Sequence, residues 1–153
     1  MNKIDLIDRD SGLEYSIDSI EVFCSNVLDE LNIEGWELSL MFSDDKYIAE
    51  LNRIYREKEG PTDVLSFCEF DAAQDWVGKH EGESVYAGDL IISVETLIKN
   101  SEYFGVSKEQ ELKRLIIHGI LHLKGMDHVT NNPDEEMLVL QEKILSRFGE
   151  YKF

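Results

Sequence analysis

The segment His118-Gly119-Ile120-Leu121-His122-Leu123-Lys124-Gly125-Met126-Asp127-His128 limits what this chain can become more than any other stretch. Ile116, Ile117, Ile120, Leu121 and Leu123 surround the first two histidines, so these imidazoles border a core, where buried polar groups need partners. His118 and His122 are four residues apart, and on a helix both rings project from one face within reach of a single ion. Gly125 takes a left-handed backbone at no steric cost, which ends the helix near Lys124 and lets the chain turn back. His128 can then supply a third nitrogen from the side. Catalytic zinc sites use three protein ligands and leave a fourth position for water or substrate. The spacing therefore predicts one Zn2+ per chain on His118, His122 and His128, although nickel and other divalent ions also accept imidazole. The competing reading, two ordinary histidines on a helix surface, does not account for the third histidine or the glycine break. His80 lies in a polar stretch and reads as solvated.

The rest of the chain alternates strand and helix patterns. Ile4 to Ile7 reads as a short strand. Ile17, Ile20, Phe23, Cys24, Val27, Leu28 and Leu31 predict an amphipathic helix from Ser16 to about Asn32. Trp36, Leu38, Leu40 and Phe42 alternate as in a strand. Ser43 is expected to cap a second helix, broken by Gly60-Pro61. Val64 to Phe67 and Asp89 to Ile92 read as strands separated by a mobile loop, Glu69 to Ala87, which holds Trp76 and His80. Ser93 caps a helix to about Phe104, and Ser107 with Gln110 opens the histidine helix. Asn132 as cap, with Pro133 in the first helical position, starts the last helix, which Gly149 stops. Four strands and about five helices predict an α+β fold. A mixed four-stranded sheet would pack with the helices in one domain spanning 1–153, with the metal site on a helix of the C-terminal half and its following turn.

Composition narrows the function. With 153 residues and 42% hydrophobic content, a chain of this size buries about 69% of its unfolded surface and needs no disulfide staples. Cys24 and Cys68 have no CxxC spacing, which excludes a cysteine zinc ribbon and predicts reduced thiols in a cytoplasmic protein. The first ten residues carry no long apolar stretch and no run approaches 18 apolar residues, so neither a signal peptide nor a membrane partner is expected. Fifteen Lys and Arg against thirty-two Asp and Glu give a net charge of −17. A broad basic face for DNA or RNA is therefore disfavoured, and an anionic substrate needs a local positive pocket or a bound cation.

Zinc peptidases of the HExxH type place their general base directly after the first histidine. That position here is Gly119, so a divergent metallopeptidase lacks its proton acceptor. Hydrolysis of a phosphodiester tolerates the loss better, because a metal can acidify bound water and polarise the phosphoryl oxygen together. Arg53, Arg56 and Lys58 crowd one helix end in an acidic protein. They can offer phosphate a bidentate fork, or merely satisfy the helix dipole. Thr62 and Asp63 can equally be turn residues entering the strand.

Taken together, Asn52-Arg53-Ile54-Tyr55-Arg56, Pro61-Thr62-Asp63-Val64-Leu65-Ser66-Phe67, Gly88-Asp89-Leu90-Ile91-Ile92 and the histidine segment resemble the YbeY family of bacterial endoribonucleases. The resemblance covers most of the chain from Leu51 onward and, by element order, all of it. It implies a zinc ion on His118, His122 and His128, and a single-strand-specific endoribonuclease of small-subunit ribosomal RNA 3′-end maturation and ribosome quality control. Arg56 matches the family's functionally important arginine, so Arg56 and His118 are the expected catalytic residues. Cys68 departs from the pattern, which usually has proline there, and removes no proposed ligand.

On this reading single-stranded RNA, ribosomal RNA above all, is the substrate. Arg56 holds the scissile phosphate, Asp127 either orients a ligand or caps its turn, and the attacking group stays open between water at the ion and the RNA 2′-hydroxyl. The alternative is a ribosome-assembly factor with a mainly structural zinc, whose acidic surface suits ribosomal proteins or assembly factors.

Overall fold

In a computed structural model that describes residues 1–69 and 82–153, the alternating segments become β1 (Lys3–Asp8), α1 (Ile17–Glu30), β2 (Trp36–Ser43), α2 (Asp45–Arg56), β3 (Val64–Cys68), β4 (Val85–Ser93), α3 (Val94–Phe104), α4 (Lys108–Leu123) and α5 (Glu136–Arg147). The strands form one sheet in the order β1-β2-β4-β3. The first three of these run parallel, and β3 lies antiparallel on the edge beside β4. The expected α+β architecture with a mixed four-stranded sheet is the observed one.

Strand alternation sorts the core onto two faces. Leu38, Leu40, Phe42, Leu90 and Ile92 point to one side and join the apolar faces of α1 and α4 in the larger core, which also takes in Phe148, Tyr151 and Phe153 near the C-terminus. Ile91 and Leu65 point to the other side, where Ile48 and Leu51 of α2 cover them. Helix α2, which ends at Arg56, and helix α4, which carries His118 and His122, therefore pack on opposite faces of the sheet. Cys24 is fully buried in the larger core, and burial pushes its thiol up to about 12, which leaves it a small apolar packing group. Among the described residues, no helix is long and apolar enough to cross a membrane.

Several boundaries differ from expectation, four of them for a visible physical reason. Ser43 is the last residue of β2, and Asp44 caps α2 instead, its carboxylate accepting from the Tyr47 N–H at 2.8 Å. Helix α2 ends at Arg56 because Glu57 turns left-handed (φ 55°), ahead of Gly60-Pro61. Strand β4 begins at Val85, four residues before the predicted start. The register shifts between Glu37 and Leu38, leaving Ala87 as the extra residue opposite β2, and a bulge of this kind breaks the alternation a sequence reading depends on. Helix α5 starts at Glu136, because Asn132 to Glu135 close a separate turn through a 3.0 Å bond from the Glu135 N–H to the Asn132 carbonyl. Trp76 and His80 lie outside the described residues, as does most of the predicted loop.

Candidate metal centre

Helix α4 is a rigid support for the histidines. Its side chains Leu112, Ile116, Ile117, Ile120, Leu121 and Leu123 are fully buried. At its start the Ser107 hydroxyl accepts from the Gln110 N–H at 3.0 Å. Farther along, the buried Lys113 ammonium donates to the carbonyls of Phe148 (2.9 Å) and Tyr151 (2.6 Å), tying the C-terminal segment to the same helix. Gly119 is needed for space: a Cβ there would meet the Leu90 methyls of β4 at 2.8 and 3.0 Å. Position 119 thus faces the sheet, and a glutamate in it would enter the core.

The turn after α4 aims the third ring. Gly125 takes φ 99°, its N–H donates to the His122 carbonyl at 2.9 Å, and the Met126 N–H donates to the Leu121 carbonyl at 3.0 Å. This paired closure satisfies carbonyls that a helix end would leave orphaned. The chain doubles back, and the Asp127 carboxylate accepts from the His128 N–H at 2.8 Å. Asp127 is therefore a turn-former. Thr130 donates its N–H (3.2 Å) and hydroxyl (3.1 Å) to Glu135, which closes the loop onto the entry to α5.

The three rings converge, with centroids 4.6, 5.3 and 5.6 Å apart and one ligand nitrogen from each within 4.8 Å of the others. Each ring also has an oxygen against its Nδ1. His118 meets Gln141 Oε1 at 2.6 Å, His122 the Met126 carbonyl at 3.1 Å, and His128 the Thr130 carbonyl at 2.8 Å. Gln141 shows its oxygen to His118 because its amide nitrogen is used by Glu142 at 3.1 Å. Oxygen acceptors put the proton on Nδ1 and the lone pair on Nε2. The Nε2 atoms of His118 and His122 then face each other at 3.0 Å, two lone pairs that repel unless a cation lies between them. A tetrahedral ion with Zn–N bonds of 2.0–2.1 Å would hold two nitrogens roughly 3.3 Å apart, so the donor set fits a divalent cation. Burial, reinforced by the neighbouring imidazoles, lowers both His118 and His122 below the usual 6.5, which keeps them neutral and able to donate to a metal.

Beside His118 and His128 opens a cavity of about 460 Å³, whose lining includes Asp63, Phe104, Arg114 and Gln141. Arg56 is not among the lining residues. It reaches the edge strand β3, donating to the Ser66 carbonyl at 2.5 Å with its guanidinium carbon 4.9 Å above the Phe67 ring. Arg53 is an exposed partner of Glu50. Asp63 pins the start of β3, accepting from the Val64 N–H (2.8 Å) and the Asn100 amide (3.1 Å). Sequence reasoning passed over Gln141. Its signal was a polar residue inside an apolar stripe, between Met137 and Ile144, where it is 6% exposed.

Fold and site together define an α+β protein with a three-histidine centre suited to a divalent cation, open to a cavity. Comparison with known proteins sharpens that class. The family model described as Endoribonuclease YbeY matches residues 7–149. The chain is 48% identical over 135 residues to the Endoribonuclease YbeY of Treponema denticola, covering 87% of this chain and 85% of that protein. It is 38% identical to that of Halalkalibacterium halodurans over 152 residues, 96% of each. The solution structure of TM1509 from Thermotoga maritima superposes with a TM-score of 0.61 at 26% identity, covering 97% of this chain and 91% of that one. The chain belongs to the YbeY family of endoribonucleases.

Proposed function

We infer that this chain is a metal-dependent endoribonuclease that hydrolyses RNA phosphodiesters in ribosomal RNA processing. The observation that carries the reading is one ligand nitrogen from each of three histidines brought within 4.8 Å of the others, with an oxygen against every Nδ1, in a chain of this family. The ion we assign is Zn2+, which matches an all-imidazole set, held by His118, His122 and His128. When bound, such an ion supplies a Lewis acid and lowers the pKa of water. The protein does the rest: Gln141 and the carbonyls of Met126 and Thr130 hold the rings in one tautomer and orientation. Arg56, at the β3 edge, contributes a guanidinium that neutralises phosphate charge as the bond breaks.

The finer reading is single-stranded RNA as substrate, at the 3′ end of small-subunit ribosomal RNA and in ribosome quality control, by one domain spanning 1–153 in the cytoplasm. The position next to His118 argues against peptide hydrolysis, since Gly119 abuts Leu90 and leaves no room for a base. Net charge of −17 favours one additional element, contact with basic ribosomal proteins or assembly factors that deliver the RNA. The test is cleavage of a defined single-stranded RNA before chelation, after it, and after Zn2+ is restored. Cleavage should vanish and return, with an equal-length duplex resistant throughout. Cleavage that survives chelation contradicts the reading.

A further inference from the structure

Phe104, the last residue of α3, is 60% exposed and lies edge-to-face on Tyr103, which is 84% exposed (centroids 5.0 Å apart, 84° between planes). Single exposed apolar residues are ordinary, but Phe104 also lines the cavity that His118 and His128 border. With Val106 and Leu138 it makes the apolar side of a space of about 460 Å³, within the range of sites for small organic groups.

The polar side of that space decides what can enter. Asp63, Glu111 and Glu142 line it. Among the described lining residues the one guanidinium, Arg114, is already committed, to Glu111 at 3.1 Å and through two nitrogens to Glu142 at 3.1 Å each. Three carboxylates against one engaged arginine repel a phosphate and admit a flat neutral group. A nucleobase is such a group, and every base has a face that stacks on an aromatic ring. In a chain of charge −17, stacking has a further merit, because it does not rely on counterion release from the RNA backbone.

We propose that Phe104 and the apolar wall beside it form a stacking subsite for one unpaired base of the RNA strand that is cut at the histidine centre. The proposal rests on the endoribonuclease reading. It places the base on the acidic, apolar side of the cavity and the phosphates on the side of the ion.

The test is a cycle between ring and base. Steady-state cleavage of a short single-stranded RNA by the metal-loaded enzyme is measured for wild type and Phe104→Ala, with the intact substrate and with substrates carrying one abasic nucleotide at successive positions. Phe104→Ala should lower kcat/KM by roughly 5- to 100-fold, mainly through KM. At one position the abasic substitution should cost wild type the same factor and the variant almost nothing. Phe104→Trp should restore kcat/KM and show indole quenching on RNA binding, whereas Phe104→Leu, which keeps apolar bulk without the ring, should not restore it. Unchanged kcat/KM in Phe104→Ala, or abasic costs that add independently at every position, overturns the subsite while leaving the endoribonuclease reading intact. Loss of ribosomal-protein binding with normal RNA cleavage makes this face a protein contact and also overturns it. A wild-type enzyme that cuts no RNA removes the reading and the subsite together.

Discussion

On one face of the sheet, His118, His122 and His128 each have an oxygen acceptor against Nδ1 and are half-buried beside a core helix. Across the sheet α2 ends at Arg56, whose exposed guanidinium reaches the β3 edge and makes one hydrogen bond among the described residues, to the carbonyl of Ser66. The histidine side is preorganised: an oxygen at each Nδ1 sets the ring's direction and favours the tautomer with its lone pair on Nε2. The arginine side is adaptable, a long cation resting on an edge strand and the Phe67 ring. That division suits a site that must grip one ion tightly and a flexible polyanion loosely. It also ranks the two sides by how much a single substitution should cost.

The largest effect is expected at the ligands. His122→Ala removes one of three donors, so bound metal and RNA cleavage should both fall to background in elemental analysis and gel assay. Next comes Arg56→Ala, which should lower kcat by roughly 10²- to 10³-fold, the usual cost of losing one group that stabilises charge in the transition state. Metal content should stay unchanged, since Arg56 does not touch the histidines. A loss of metal in that variant would erase the distinction between the two sides. Gln141→Leu takes away the acceptor on His118 and should weaken metal affinity roughly 10- to 100-fold by chelator competition, with Gln141→Glu restoring most of it.

The smallest effect lies at the far end of α2, which carries Arg56. Burial raises the Asp45 carboxyl, but hydrogen bonds from Lys99 (2.8 Å), Ser93 (2.6 Å) and Thr96 outweigh it and hold the group below the usual 3.8. A carboxyl with a depressed folded pKa contributes stability that is present above 3.8 and lost as pH falls through the folded value. Asp45→Asn should therefore cost about 1–2 kcal/mol in urea unfolding at pH 7. The difference from wild type should shrink as pH falls below 3.8.

How far these features could be read from the sequence follows the same division. The three-histidine cluster was legible because its signals are local: a spacing of four on an apolar helix, then a glycine that must turn left-handed. The sheet was legible through the alternation of Trp36, Leu38, Leu40 and Phe42. What escaped depends on contacts between distant segments. The early start of β4 was hidden by the bulge at Ala87, which only pairing with β2 reveals. Asn132 and Pro133 carry a strong helix-start signal, yet the Glu135 side chain is drawn back to Thr130 and the helix begins later. Gln141 gave one hint, a polar residue in an apolar stripe, but its meaning needs the partner 23 residues away on α4. That α2, which ends at Arg56, packs across the sheet from α4 follows from topology, which no run of residues spells out.

The most direct measurement is a Zn2+ titration of chelator-stripped protein in which bound ion and RNA cleavage are read from the same samples, for wild type and His122→Ala. Both signals should rise together in wild type and level off at one ion per chain, and neither should rise in the variant. Cleavage by the stripped protein, or cleavage by His122→Ala equal to wild type, would contradict the assignment of catalysis to the three-histidine centre.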